Sequence, residues 1–302
     1  MPNTATPQYL NLVKLNPLQY LMQQLAGQGY YLDDDGLINM EKRRFWNPPW
    51  VYIKHAPWQQ CHLWHKIFFN IIHKQTKVPI GCLSCWKVVV KPQTVVQLFA
   101  LHKLQVNLNL WSKCGTEIDR QNTHDKYGGF FYNFGFEPGR ECYKVVRQAV
   151  SNWPGLGPDI PVILKRGCTE FEQHCGPSNK WEETITQEQV ELEDLMTQYI
   201  RGDIGLFSQG ENEIASVQQN WIQDAARVGD MTYLELTGGT PRFPKLVTYH
   251  EDLDAEYKNK TGLPERLKVN MIVPPPARKI SFILRKTTVD TPNLEQKKKK
   301  KK

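Results

Sequence analysis

The sequence predicts an α+β protein. Its centre is a ferredoxin-like (split βαβ) domain with strand order 4-1-3-2, carrying a helical N-terminal extension and a mixed helical and β C-terminal region. Three observations support this. Between residues 86 and 172, β-branched or aromatic runs alternate with helical periodicities in the order β-α-β-β-α-β. Pro and Gly punctuate the joints between them, at Pro92, Pro138, Pro154, Gly155, Gly157 and Pro161. The 302 residues are 40% hydrophobic and 23% charged, which is enough apolar surface to build a core and too much for a disordered chain.

Residues 1–80 form the N-terminal extension. Leu18, Leu21, Met22 and Leu25 recur at helical spacing, Asp33-Asp34-Asp35-Gly36 is a polar turn, and Pro48-Pro49 breaks the chain. Pro57 opens a second helical pattern over 57–73, with Trp58, Cys61, Trp64, Ile67, Phe68, Ile71 and Ile72 on its apolar face. Residues 81–180 form the ferredoxin-like domain. Its first strand is Trp86-Lys87-Val88-Val89-Val90. Thr94 and Gln97 make a capping box ahead of Val95, Leu98, Phe99, Leu101 and Leu104. The second strand spans 110–119, and the third, rich in aromatics, spans 128–136. A second helix carries Cys142, Val145, Val146, Ala149 and Val150, and Pro161-Val162-Ile163-Leu164 starts the fourth strand. Right-handed crossovers then put strands 2 and 4 at opposite edges of an antiparallel sheet.

Residues 181–273 read as an acidic helical and hairpin region. Val190, Leu192, Leu195, Met196, Tyr199 and Ile200 mark one helix, and Ile214, Val217, Trp221 and Ala225 another. Two strands, 231–236 and 246–250, are expected to join through Gly238-Gly239. Residues 274–296 hold the linker Pro274-Pro275-Pro276 and a last strand with Ile280, Phe282 and Leu284. Residues 297–302 are all lysine.

That tail governs the charge. The chain has 38 Lys+Arg against 31 Asp+Glu, a net +7, but without the tail the count is 32 against 31. The remainder is unevenly spread. Residues 1–180 hold 20 basic and 12 acidic side chains, and residues 181–270 hold 8 and 17. The basic segment offers a surface for a polyanion. The acidic segment offers a surface for a protein partner or a second copy of the chain. No apolar stretch reaches the ~18 residues of a membrane span, so no membrane partner is expected. An odd set of seven cysteines and an N-terminus without a secretory pattern lead to the expectation of a cytoplasmic protein with reduced thiols.

The cysteines carry the clearest motif. Cys82-Leu83-Ser84-Cys85, preceded by Gly81, resembles a zinc knuckle, in which a two-residue spacer lets two thiolates converge on one ion. Cys61 and His65, one turn apart on the preceding helix, complete a candidate Zn2+ set of Cys61, His65, Cys82 and Cys85. The fold supplies alternative partners. The start of strand 1 lies beside the end of strand 4, so Cys168, His174 and Cys175 stand near the knuckle. Cysteines serving only as small buried hydrophobes are the third reading.

Catalysis has weaker signals. Alternation puts Glu117 with Asp119 on one face of strand 2 and Glu170 with Glu172 on one face of strand 4, and paired carboxylates suit a metal-dependent enzyme such as a nuclease. Opposite sheet edges keep the two pairs apart. His124-Asp125 and His250-Glu251-Asp252 lack a nucleophile, phosphate loop or second partner at a diagnostic spacing. Whether the chain is an enzyme stays open.

The aromatic strand Tyr127-Gly128-Gly129-Phe130-Phe131-Tyr132-Asn133-Phe134 resembles the central strand of an RNA-recognition motif, over about 90 residues of fold. Gly128, Phe131 and Phe134 match that motif's pattern. Tyr127 replaces its basic residue, Gly129, Phe130 and Tyr132 depart from it, and strand 1 lacks the second aromatic. The resemblance implies nucleic-acid binding, RNA above all. Lys87, Lys91, Lys113, Arg120 and Lys126 would contact phosphates, and Phe130, Tyr132 and Phe134 would stack on single-stranded bases.

Overall fold

Val88, Val89 and Val90 lie buried in β4, Cys85–Val90, inside a five-stranded sheet. The structure is a computed structural model that describes residues 16–40, 49–204 and 208–247. The expected linker at 274–276, the last strand near Ile280, the lysine tail and His250-Glu251-Asp252 lie outside the described residues. Residues 1–244 form one compact unit and 245–302 another. The N-terminal extension, the sheet and most of the acidic region all belong to the first unit.

The described N-terminal region begins with α1, Pro17–Leu25, whose first turn is capped by the Asn16 side chain accepting from Gln19 N. β1, Tyr30–Leu32, and β2, Ile38–Met40, pair across the Asp33–Gly36 turn, where Asp33 Oδ1 accepts from the Asp35 and Leu37 N–H groups. β3 is Trp50–Lys54. After β4 come α2, Val95–Leu108, β5, Ser112–Thr116, β6, Tyr127–Phe134, α3, Phe136–Asn152, and β7, Val162–Arg166. The sheet order is β3-β5-β6-β4-β7, with every neighbouring pair antiparallel. β3 therefore lies beyond β5, so the expected second strand is internal and no longer an edge. The segment reads Trp-Val-Tyr-Ile, which has strong strand propensity, and Pro49 stands just before it, where proline does not interrupt the ladder. The exposed side of β3 is satisfied by one amide. Gln209 Oε1 accepts from Tyr52 N at 2.8 Å, and Gln209 Nε2 donates to Trp50 O at 2.9 Å.

One face of the sheet buries Val51, Val88, Val90, Cys114 and Phe131 against α2, α3 and α6, Glu211–Arg227. Trp221 of α6 reaches under the edge and donates to Pro49 O at 2.8 Å. Gly129 sits where α2 comes closest, and a Cβ there would meet Leu101 at 2.4 Å. A second core joins α1, a π-helix at His62–Ile72, and α5, Gln187–Thr197, through Leu21, Leu25, Leu63, Ile67, Phe68, Leu192 and Met196. The helix expected over 57–73 thus begins later and is wound with wider turns, as the His73 N to Phe68 O bond of 2.7 Å shows. Buried Glu193 locks this core. It holds His73 Nε2 at 2.7 Å, Gln189 Nε2 at 2.8 Å and Ile80 N at 2.8 Å.

Two further expectations are corrected. The acidic pair Glu170 and Glu172 is not on a strand, because Gly167 ends β7 and residues 169–175 form α4, Thr169–Cys175. The first strand of the expected hairpin, 231–236, is replaced by α7, Tyr233–Leu236, and residues 248–250 of the second lie outside the described residues. Asp230 Oδ1 accepts from both the N–H and the hydroxyl of Thr232, which starts a helical turn there. Among the described residues no helix is long and apolar enough to cross a membrane.

Candidate functional site

Strand alternation and register assign the second face of the sheet to Tyr52 of β3, Lys113 of β5, Phe130, Tyr132 and Phe134 of β6, Cys85, Lys87 and Val89 of β4, and Ile163 and Lys165 of β7. No helix of the main core packs here. The β3–β5 side is covered by a wall of aromatics to which the N-terminal region contributes. Trp58 meets Trp111 edge to face at 4.3 Å and Phe134 at 5.9 Å, and Trp50 meets Phe130 at 5.6 Å. Phe130 and Tyr132 are only 9% and 4% exposed, so two of the three expected stacking rings are sealed in this small core. Phe134 remains open, at 56%. The sequence pattern identifies the face, but a single strand does not reveal what covers it.

The β4–β7 side is open and forms a pocket of about 370 Å³. Its floor is Lys87, Val89, Phe130, Ile163 and Lys165. Lys91, the loop from Glu117 to Asp125, and the turn Gly167-Cys168-Thr169 make its rim. Four cationic side chains line it, Lys87, Lys91, Arg120 and Lys165, against the carboxylates of Glu117 and Asp125. Lys87 and Lys165 face each other across β4 and β7 because their positions are in register.

Each charge has an internal contact. Lys91 pairs with Asp125 at 2.8 Å. Lys165 Nζ donates to Thr169 Oγ1 at 2.8 Å and lies 3.7 Å from Glu172. Burial, helped by the positive charge of Lys87, lowers the Lys165 ammonium below the usual lysine range. Lys87 Nζ donates to Cys168 Sγ at 3.1 Å. Burial opposes the charge on Lys87, but its interactions with the sulfurs of Cys168 and Cys85 outweigh burial and raise the ammonium well above its ordinary value. Arg120 bridges two carboxylates, donating to Glu117 Oε1 at 2.9 Å and Glu170 Oε1 at 2.7 Å. Burial dominates at Glu117 and pushes its carboxyl up despite Arg120. At Glu170 burial is outweighed, chiefly by the Arg120 charge, and the carboxyl is held at about 2.

This bridge corrects the expected separation of the carboxylates. Glu117 and Glu170 meet at one guanidinium, because Glu170 is carried inward on α4. Their companions do not join them. Asp119 is engaged by Arg227 at 3.1 Å, and Glu172 lies toward Lys165. Each of the four acids thus has a cationic neighbour, and the two pairs do not converge as one set of carboxylates. Of the expected phosphate contacts, Lys87, Lys91 and Arg120 enter the pocket and Lys126 is exposed beside it. Lys113 is diverted. Its ammonium sits 4.3 Å from the Trp50 ring centre and 5.4 Å from that of Tyr52, and burial pushes it down to about 8. Lys165 is absent from the residues expected from sequence, although its alternation with Ile163 on strand 4 is a signal that could have found it.

The expected zinc set does not gather. Cys61 is exposed, with the Gln59 amide 3.6 Å from its sulfur. Cys82 is buried with Phe69, Val78, Phe171 and Trp181, whereas Cys85 joins the aromatic wall on the sheet. The knuckle's two thiols thus enter different apolar clusters. Burial raises both, Cys82 strongly and Cys85 to about 12. Of the alternatives, His174 is exposed, and the thiol of Cys175 is 3.8 Å from Gln75 O. His65 instead meets Cys168 and Glu170. Their donor atoms lie within 4.8 Å of one another. Comparison with protein-family models, curated proteins and solved structures finds no match to this chain.

Proposed function

We propose that the protein binds single-stranded nucleic acid through the cationic pocket on the open half of its sheet. The observation that carries this reading is the convergence of Lys87, Lys91, Arg120 and Lys165 on one concavity of about 370 Å³. The four cations share four carboxylates, Asp125, Glu117, Glu170 and Glu172, so a phosphodiester would bind by drawing on Lys91 and Lys165 in exchange for their partners at 2.8 and 3.7 Å. The aromatic contribution is smaller than the sequence implies. Phe134, beside Trp58, is the exposed ring at the end of β6, and Phe130 and Tyr132 act as structural supports. Binding is therefore phosphate-dominated and tolerant of sequence. The reading includes a split βαβ, ferredoxin-like sheet extended by β3, the architecture in which an open face serves this purpose. It also includes a reducing, cytoplasmic setting, in keeping with seven free cysteines.

The test is titration of a labelled single-stranded oligonucleotide with the chain in which Lys297–Lys302 are replaced by serine, which removes the tail as a source of attraction. Binding at low salt, weakened by Lys91→Ala, is expected. No binding at low salt would overturn the proposal.

A further inference from the structure

We propose that His65, Cys168 and Glu170 form a metal site of the class that takes zinc, with one coordination position open toward the cationic pocket. The three donors come from two elements. His65 projects from the π-helix, and Cys168 and Glu170 come from the start of α4, at its N-cap and in its first turn. The chain entering α4 is shaped for this. Gly167 has φ +57 and a Cβ there would meet Trp181 at 2.8 Å, so glycine is needed to swing residues 168 and 170 back toward the π-helix.

Imidazole, thiolate and carboxylate are the donor types zinc selects. In a tetrahedral zinc site the donors stand about 3.5 Å apart, given bonds of about 2.0–2.3 Å. The trio, within 4.8 Å, needs to close by only about 1 Å. Two of its atoms also make no hydrogen bond, although His65 Nε2 lies 3.8 Å from Glu170 Oε1. His65 Nε2 and Glu170 Oε2 are both buried without a hydrogen bond, although the second oxygen of Glu170 is well held. Such orphaned atoms are costly, and a shared ion would satisfy both.

The surrounding contacts orient the donors as outer partners do in metal sites. Arg120 fixes Glu170 Oε1 at 2.7 Å, the oxygen that also lies 3.8 Å from His65 Nε2, and leaves Oε2 buried without a hydrogen bond. Lys87 Nζ contacts the Cys168 sulfur at 3.1 Å. These cations also oppose a divalent ion, while a thiolate and a carboxylate in the ligand set offset its two charges. Affinity is accordingly expected below that of a closed four-ligand site. Three protein donors leave one tetrahedral position, and Cys168 and Thr169 line the pocket, so that position faces an oxygen of a bound anion or a water.

The site is independent of the nucleic-acid reading and is tested without activity. The full chain is loaded with Co2+ and followed by absorption, with zinc content measured in parallel by elemental analysis. The expected result is one ion per chain with a sulfur-to-cobalt charge-transfer band. Both should be lost in Cys168→Ser and in Glu170→Gln and retained in Cys82→Ser and Cys85→Ser, with circular dichroism confirming that each variant is folded. Should Cys168→Ser alone fail to fold, Glu170→Gln with unchanged circular dichroism, no charge-transfer band and no ion carries the result. No ion in the wild-type chain would overturn the site. Binding that survives Cys168→Ser but is lost with Cys82 or Cys85 would also overturn it, in favour of the knuckle. Oligonucleotide binding measured on the same samples keeps the two proposals separate.

Discussion

Asp230 shows how much one side chain can organise. Its Oδ2 accepts from the Tyr127 hydroxyl at 2.7 Å and from Val95 N at 2.6 Å, tying the end of α6, β6 and the start of α2 together at one carboxylate. Replacing it with alanine leaves a buried phenol and a helix N–H unsatisfied, and a loss of about 3 kcal/mol is expected from chemical denaturation. Burial works against ionisation of Asp230, but the donors from Tyr127, Thr232 and Val95 prevail and lower its pKa beneath 3.8. Its contribution is therefore complete above that value and is lost as the pH falls through the folded pKa. His62 acts in a milder range. Burial, helped by the charge of Lys66, lowers it to about 4 from 6.5, and Tyr30 Oη lies 2.7 Å from its Nε2. The unfolded chain takes up this proton first, so stability is expected to fall as the pH drops from 6.5 toward 4. Melting curves of His62→Gln should be flatter across that window, and an unchanged profile would reject the assignment. Neither residue is legible as a partner in the sequence, because the ties of Asp230 to Tyr127 and Val95 and of His62 to Tyr30 each span more than thirty positions.

At the scale of elements, β4, α2, β6, α3 and β7 are readable because each carries a long periodic run with a proline, glycine or capping signal at its end. Thr94 caps α2 as its spacing implies, accepting from Gln97 N at 3.2 Å. Short or conditional elements are the ones that escape. Pro48-Pro49 suggests a break and so hides β3, although the residues that follow have strand character. Residues 231–236 have strand propensity, yet capping by Asp230 turns them into a helix. The π-helix is not legible either, since its apolar residues fit helical spacing in general. Its packing gives a test. Gly81 lies under Trp64, and a Cβ would meet Trp64 Cε2 at 2.1 Å. Gly81→Ala is expected to destabilise the protein by about 1–3 kcal/mol, with partial recovery on adding Trp64→Leu. A neutral Gly81→Ala would show that the knuckle turn does not rest against the π-helix.

For the whole molecule, the charge pattern visible in the sequence acquires a location. The basic segment contributes the pocket's cations from one side of the sheet and its adjoining loops, whereas among the described residues several acids of the acidic region are engaged within the chain. Glu182 pairs with Arg166, Glu193 with His73, and Asp224 with Arg227. That internal use gives a partner protein fewer free acids than the net charge of the segment suggests. The aromatic pattern points to the right face, yet the covering wall of Trp58 and Trp111 comes from elsewhere in the chain and closes half of it. The metal donors are legible only incompletely, since His65 and Cys168 stand in different candidate sets and Glu170 in neither. Binding of a phosphate chain to the open half of the sheet is tested most directly by the salt dependence of single-strand binding. The tail-substituted chain is compared with its Lys91→Ala, Lys165→Ala double variant. Each phosphate contact on a single strand contributes about 0.7 to the slope of log affinity against log salt, so the double variant should lose about 1.4. Equal slopes and affinities in the two chains would contradict binding at this face.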